Sequence, residues 1–514
     1  SLLEESVLIN LDEHLFVSIN SSEQVTAPCK GLGRVSARPS RDIAMAVKKH
    51  VVMFPYMAQG HLIPFLKLAK LLASQGLTVS FITTTMSASK LQSKAVGSDI
   101  RFIPLSFPYI DGLTPGCETV DSLTSVDERI LLFCSSHRLS VPFEEWLQQV
   151  TAEISAKPVC IISDVFLAWT ADSASRFGIP LVVFHTTGAM GASLMQYLFT
   201  NPVAELISGD DDGGTVEIHD RSLNVNLSKS LLVEIFKNES YPQDLLRLFE
   251  TRQRKLAAIA KERCAATLVN TLDQIEEGYL RYLHESTGKP VWAIASPPLH
   301  KPQKGICDES ECMSWLDSQK QNSVLYVSFG SQVFLSEGQI KALARGIEAS
   351  KQPFIWTIKD SIGSNVNSCD FLPEGFAEAT RDRGLLIHGW APQLQILSHP
   401  STACFLSHSG WNSTLESISA GVPMVVWPMV LDQLINAKLV VEQLKIGLQI
   451  CQGWDRIPCS DTVEFMVKSV MVKETGNEMR NRAENIKTKI EGASNELNIR
   501  GFVSYILNLR RHGD

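Results

Sequence analysis

Two ionisable side chains stand where short apolar runs end. The run at 50–55 passes through Tyr56-Met57-Ala58-Gln59-Gly60 to His61, and the run at 159–163 ends on Asp164. Imidazole, with an ordinary pKa of about 6.5, accepts a proton at neutral pH, and a neighbouring carboxylate stabilises the imidazolium that results. A helix beginning near His61 works the other way and keeps the free base available. His61 and Asp164 are therefore expected to pair as a general base for a hydroxyl. A lone histidine is more often structural; the position directly after Gly60, at a strand end, is what favours chemistry.

A second constellation is the run Ser407-His408-Ser409-Gly410-Trp411-Asn412-Ser413-Thr414, followed by a helical pattern that stops at Gly421. Exposed N–H groups at such a helix start suit a phosphate or diphosphate. His408, Asn412 and Ser413 add side-chain donors, and Gly410 lets the backbone come close. The competing reading is a capped helix whose Ser and Asn satisfy only their own backbone. Both stay open from this segment alone.

The elements that must position these groups alternate between strand and helix. Apolar runs at 50–55, 78–83, 159–163 and 181–184 read as strands, and Leu62, Phe65, Leu66, Ala69 and Leu72 share one helical face. The pattern pauses after 292–294, crosses a polar, Pro-containing stretch at 296–311, and restarts with strands at 324–327, 354–358, 385–388, 403–406 and 424–427. Alternation of this kind implies parallel sheets, and with 514 residues two domains are expected, since a single core stops growing at roughly 250 to 300. The fold class is thus α/β, two Rossmann-like doubly wound domains facing across a cleft. The expected division is an extension outside the fold at 1–44, disordered or foreign to the protein, a first domain at 45–295, a linker at 296–311, a second domain at 312–492, and a closing helix at 493–514 that returns to the first domain. Ligands in such sheets bind beyond the carboxyl ends of the strands. His61, Asp164, Thr186, Ser331, Trp390, His408 and the pair Asp432-Gln433 all fall there.

Trp390-Ala391-Pro392-Gln393, His408, Gly410-Trp411-Asn412-Ser413, Glu416, Gly421-Val422-Pro423 and Asp432-Gln433 resemble, at full spacing, the donor-binding signature of the plant family 1 UDP-glycosyltransferases. The likeness extends from about Met45 to the C-terminus and includes Gly60-His61 and Ser328-Phe329-Gly330-Ser331. It implies the GT-B form of the two-domain fold and transfer of a hexose from a UDP-sugar to a hydroxyl of a small hydrophobic plant metabolite, a flavonoid, phenylpropanoid or terpenoid, with inversion. Trp390 would stack on uracil, with Ala391 beside it in the motif, Gln393 would contact the nucleoside and Glu416 the ribose hydroxyls. Ser331, His408, Asn412 and Ser413 would hold the diphosphate; Thr186, Trp411, Asp432 and Gln433 the sugar. Gln433 favours UDP-glucose, because histidine at that position of the family often accompanies galactose. His61 resembles the family's base. The alternative is a UDP-sugar-binding protein without transfer activity, which would not need the His61–Asp164 pair.

Composition narrows the partners. A net charge of −8 disfavours nucleic acid, and 44% hydrophobic with 20% charged residues is ordinary for a globular protein. No apolar run of about 18 residues exists, so no integral membrane segment is expected. Eleven cysteines without a CxxC pair read as reduced thiols. With Asn412-Ser413-Thr414 serving the site rather than glycosylation, a cytoplasmic location is expected. The acidic start lacks the features of a secretory signal. No cofactor, no metal and a monomer are expected; Asp210-Asp211-Asp212, followed by Gly213-Gly214, reads as a solvated loop. Acceptor-lining segments are expected at 107–117, 133–143 and 190–197.

Overall fold

A computed structural model describes residues 49–509 except 94–96, 124, 154–156, 202–213, 237–250, 252–253, 256–257, 260, 296–308, 360–367, 431 and 493–494. The extension at 1–44, the triple aspartate at 210–212 and most of the expected linker therefore lie outside the described residues. A helix, Glu309–Asp317, already begins within the segment expected to link the halves.

In chain order the strands are β1 (His50–Phe54), β2 (Thr78–Thr84), β3 (Ile100–Leu105), β4 (Cys160–Asp164), β5 (Leu181–His185), β6 (Thr215–Asp220), β7 (Leu223–Ser228), β8 (Ala266–Val269) and β9 (Val291–Ala293), then β10 (Val324–Ser328), β11 (Phe354–Ile358), β12 (Gly384–His388), β13 (Thr402–Ser407), β14 (Met424–Val426) and β15 (Gly447–Gln449). They form a seven-stranded sheet ordered β3-β2-β1-β4-β5-β8-β9 and a six-stranded sheet ordered β12-β11-β10-β13-β14-β15. Pairing within both is parallel, for example Val51 against Val79 and Cys160, and Leu325 against Phe354 and Cys404. This is the two-domain GT-B arrangement of Rossmann-like units. β6 and β7 form a separate antiparallel hairpin.

Central strands such as β4, β5, β10 and β11 are buried along their whole length, as sheets covered on both faces require. The helix after β1 covers one face through Leu62, Phe65, Leu66, Ala69 and Leu72, all buried. It begins at Gln59, earlier than the apolar stripe suggests, so Gly60 and His61 lie in its first turn rather than in a preceding loop. Pro64 falls in the next turn.

Two packing features tie the halves together. One apolar cluster contains Ala189, Met190 and Leu194 from the first half and Trp411, Leu415 and Ile435 from the second. The last helix, Asn495–Leu509, places Ile499, Phe502 and Ile506 in the core of the first sheet, where Trp292 meets Phe502 and Tyr505 at ring distances of 5.5 and 5.0 Å. Among the described residues no helix is long and apolar enough to cross a membrane.

Candidate active site

In the first half, four strands that are neighbours in the sheet each deliver a residue to one place. His61 follows β1, Asp164 ends β4, Thr186 follows β5 and Asn270 follows β8. The Asp164 side chain is wholly buried, and its Oδ2 lies 2.7 Å from Nδ1 of His61. Backbone N–H groups complete its shell: Tyr56 donates to Oδ2 at 3.1 Å and Phe166 to Oδ1 at 2.9 Å. With Nδ1–H donating to Oδ2 of Asp164, the imidazole tautomer is the one that carries its proton on Nδ1. Thr186 Oγ1 stands 3.0 Å from the same nitrogen. Nε2 is then the basic nitrogen of the ring.

Aromatic side chains wall this base. Phe166 and Tyr56 lie 4.8 and 5.4 Å from the His61 ring, and Phe133 lies 5.3 Å from Phe166. Among the segments expected to line an acceptor pocket, Phe133 thus comes to the site. Phe143 instead is sealed in the core against Phe54 and Trp169, and Met190, Ala192 and Leu194 are core as well.

In the second half, Trp390 follows β12 with its indole half exposed, at 52%, the open face a stacking platform needs. Ala391 behind it is buried. Gln393 donates to Glu416 Oε2 at 2.8 Å and to Ser413 Oγ at 3.0 Å, orienting both. Lys67, from the first-half helix, stands 3.9 Å from Glu416 Oε1.

The helix Trp411–Ala420 starts after Gly410 with no side-chain cap. Ser413 is engaged with Gln393, and Asn412 reaches out of its helix altogether, donating to the Gly60 carbonyl at 3.1 Å and accepting from Asn270 at 3.3 Å. Neither satisfies its own backbone, which removes the capped-helix reading and leaves the first N–H groups for an anion. Ser409, just before, holds φ 63°, a strained left-handed conformation, and Asn436 secures it by donating to its carbonyl at 2.9 Å. The His408 ring is enclosed by two glycines: a Cβ on Gly330 would meet its Cε1, and one on Gly410 its Nε2, each at 2.4 Å. Ser331 follows Gly330 in the same turn.

The two halves meet through hydrogen bonds around Asn270. Its side chain donates to the Thr186 carbonyl at 3.1 Å, and its own carbonyl accepts the indole N–H of Trp411 at 2.6 Å. The Trp411 ring lies over Gly188, where a Cβ would meet it at 2.8 Å. The indole expected at the sugar thus packs into the interface. Next to it, buried Glu276 accepts the N–H groups of Ala189 and Met190 at 2.8 Å each, capping the helix Ala189–Thr200 from 86 positions away. Burial pushes the Asp432 carboxyl up, opposed by the Asn436 hydrogen bond and then by the charge of His61, which is near enough to act on it. Gln433 Oε1 accepts from Met429 N at 3.0 Å and Val430 N at 3.3 Å, fixing the side chain.

Asn270, Glu276, Phe166 and Asn436 are not among the site residues expected from the sequence. β8, which Asn270 directly follows, is not among the expected strands, and nothing in a lone buried glutamate announces a distant helix end.

Comparisons with known proteins bear on the family and the fold. Residues 48–197 match the family model for the glycosyltransferase N-terminal domain, and residues 300–478 match the model for UDP-glucoronosyl and UDP-glucosyl transferase. The scopoletin glucosyltransferase of Nicotiana tabacum is 34% identical over 87% of this chain and 94% of its own. The anthocyanin 3'-O-beta-glucosyltransferase of Gentiana triflora is 32% identical over 86% and 94%. Among solved structures, UGT2 of Phytolacca americana, complexed with UDP-2fluoro-glucose and pterostilbene, superposes with a TM-score of 0.69 at 27% identity, covering 86% of this chain and 94% of that one. A Glycyrrhiza uralensis enzyme complexed with glycyrrhetinic acid 3-O-monoglucuronide shares the fold with a TM-score of 0.77 at 23% identity, covering 91% and 97%.

Proposed function

The chain belongs to the plant UDP-glycosyltransferases, and from that membership we propose that it moves glucose from UDP-glucose to a hydroxyl of a small, apolar, ring-containing plant metabolite, inverting the anomeric centre. The observation that carries the reading is the 2.7 Å pair of His61 with wholly buried Asp164, set among aromatic rings and facing Asp432. The acceptor hydroxyl gives its proton to Nε2 of His61. Its oxygen attacks the anomeric carbon from the side opposite UDP, and UDP leaves. Asp164 stabilises the imidazolium and holds the ring in place; it takes no proton itself.

Within this reading Trp390 stacks on uracil, Gln393 and Glu416 secure the nucleoside, and Ser331, His408, Ser413 and the uncapped N–H groups hold the diphosphate. Asp432 and Gln433 read the sugar, and Gln433 is the reason to name glucose. Phe133, Phe166 and Tyr56 favour acceptors with a planar or ring-shaped apolar body, which they contact edge and face. The range of acceptors that such a wall admits is broad, so the test is a screen: purified protein, UDP-glucose and hydroxylated plant metabolites, with products identified by mass.

Transfer is then measured in His61→Ala. General acid–base catalysis contributes roughly 10²- to 10⁴-fold, and transfer should fall by that much with UDP affinity unchanged. Equal loss of UDP binding would make His61 a structural residue. A wild-type protein that binds UDP yet glycosylates nothing would favour the binding-only alternative.

A further inference from the structure

A nucleoside diphosphate is anionic, and more negative charge collects on it as the sugar leaves. The side chains assigned to it, Ser331, His408, Asn412 and Ser413, bring no positive charge. Burial, and after it the charge of Lys359, hold His408 down at about 4, so its ring is neutral at pH 7. Lys359 itself is half-buried immediately after β11 and donates through Nζ to the Gly330 carbonyl. Gly330 is the glycine, at φ 71°, that lies against His408. Strands β11, β10 and β13 are adjacent in the sheet, so Lys359, the Gly330 turn and His408 emerge side by side at the same end. This is also the end at which the uncapped helix Trp411–Ala420 begins.

From the first half, Asp121 faces this cation. Its Oδ2 accepts the Gln59 N–H at 3.1 Å, while Oδ1 is buried with no hydrogen-bond partner among the described residues. Burial favours the neutral form of Lys359, and Asp121 counters it. Among the described residues the ammonium thus has a neutral carbonyl as its hydrogen-bond partner, with the charge of Asp121 near enough to act on it. Such a site is built to exchange a carbonyl for a stronger anion. Lys67, the other cation at the donor residues, stands near Glu416, at the nucleoside end.

We propose that Lys359 holds the diphosphate and neutralises the charge on UDP as it departs. The proposal rests on the UDP-sugar reading given above. As the acceptor oxygen bonds to the anomeric carbon, its proton passes to His61. The bond from that carbon to the β-phosphate oxygen breaks, and its electron pair leaves with UDP. Lys359 transfers no proton; its ammonium turns from the Gly330 carbonyl to a phosphate oxygen.

The test compares Lys359→Met and Lys359→Arg in the full chain, with melting temperatures matched to wild type, using uridine and UDP as probes. Lys359→Met should weaken UDP binding about 10- to 100-fold and lower turnover of UDP-glucose at least as much, while uridine binds as before. Lys359→Arg should restore most of both. Unchanged UDP affinity and turnover in Lys359→Met overturn the proposal. Equal losses for uridine and UDP overturn it too, because they mark support of the turn rather than contact with phosphate. A wild-type protein that does not prefer UDP to uridine instead overturns the donor-site reading, a result recognisable before any variant is made.

Discussion

The two halves of the cleft are assembled by opposite strategies. In the second half, Trp390 through Gln433 is one stretch of chain, and its polar groups hold each other: Gln393 orients Ser413 and Glu416, while Asn436, three positions beyond the stretch, secures Ser409. In the first half the base is put together from strand ends that are far apart in sequence. His61 and Asp164 are 103 positions apart, and His61 and Thr186 are 125 apart. Sheet order alone makes them neighbours. A ligand common to many related proteins is met by a contiguous cassette, whereas the base and the acceptor wall depend on the whole first sheet. Substitutions in the first half should therefore cost catalysis, and those in the second should cost donor affinity.

Asp164→Asn tests the first half most severely. The amide would keep the shape but lose the charge that receives three N–H donors and stabilises imidazolium. Turnover should fall by roughly 10² to 10⁴, the range of general-base catalysis, with UDP affinity within about twofold of wild type. Calorimetry with UDP beside product assays separates the two. A parallel fall in UDP affinity would erase the division of labour. Trp390→Ala is the mirror experiment. Base stacking on an aromatic is worth about 1 to 3 kcal/mol, so UDP should bind about 5- to 150-fold more weakly while the saturated turnover stays near that of wild type. A turnover loss at saturating donor would show that the indole does more than hold uracil.

The same contrast governs what could be read from sequence. The strand at 354–358 matches the sequence reading to the residue, and the expected donor residues other than Thr186 and Ser331 sit in one recognisable run, because buried parallel strands are short apolar blocks and the signature is contiguous. β3, β8 and β15 were missed. Ile100–Leu105 carries a charge and a proline, and Ala266–Val269 and Gly447–Gln449 are too short to stand out. Losing β8 hid Asn270, and with it the junction between the halves. Lys359 lay outside the contiguous run, so only the sheet order exposes it beside His408. Trp411 and Asn412, expected at the ligand, also span the interface through their side chains, a use that no spacing within one segment could reveal.

The smallest expected effect concerns the hydrogen bond from Asn412 to Gly60, which, beside the Lys67–Glu416 ion pair, links the donor helix to the helix that carries His61. In a regular helix the Gly60 carbonyl would accept the N–H of residue 64. Residue 64 is proline, which has no N–H, so the carbonyl is left free and Asn412 takes it at 3.1 Å. Pro64→Ala supplies the missing donor. Alanine is favoured over proline inside a helix by about 3 kcal/mol, and the lost packing of about two buried methylenes returns about 1.6 kcal/mol of that. The variant should thus be slightly more stable, by about 1 kcal/mol. At the same time the helix would compete with Asn412 for Gly60, weakening a bond with a net value of about 1 kcal/mol. Turnover should fall by about five-fold while the melting temperature rises, a combination that damage to the fold cannot produce. If stability rises and turnover holds, the Gly60 link does not position His61 against the donor half, and the two halves are coupled through Asn270 and Trp411 instead.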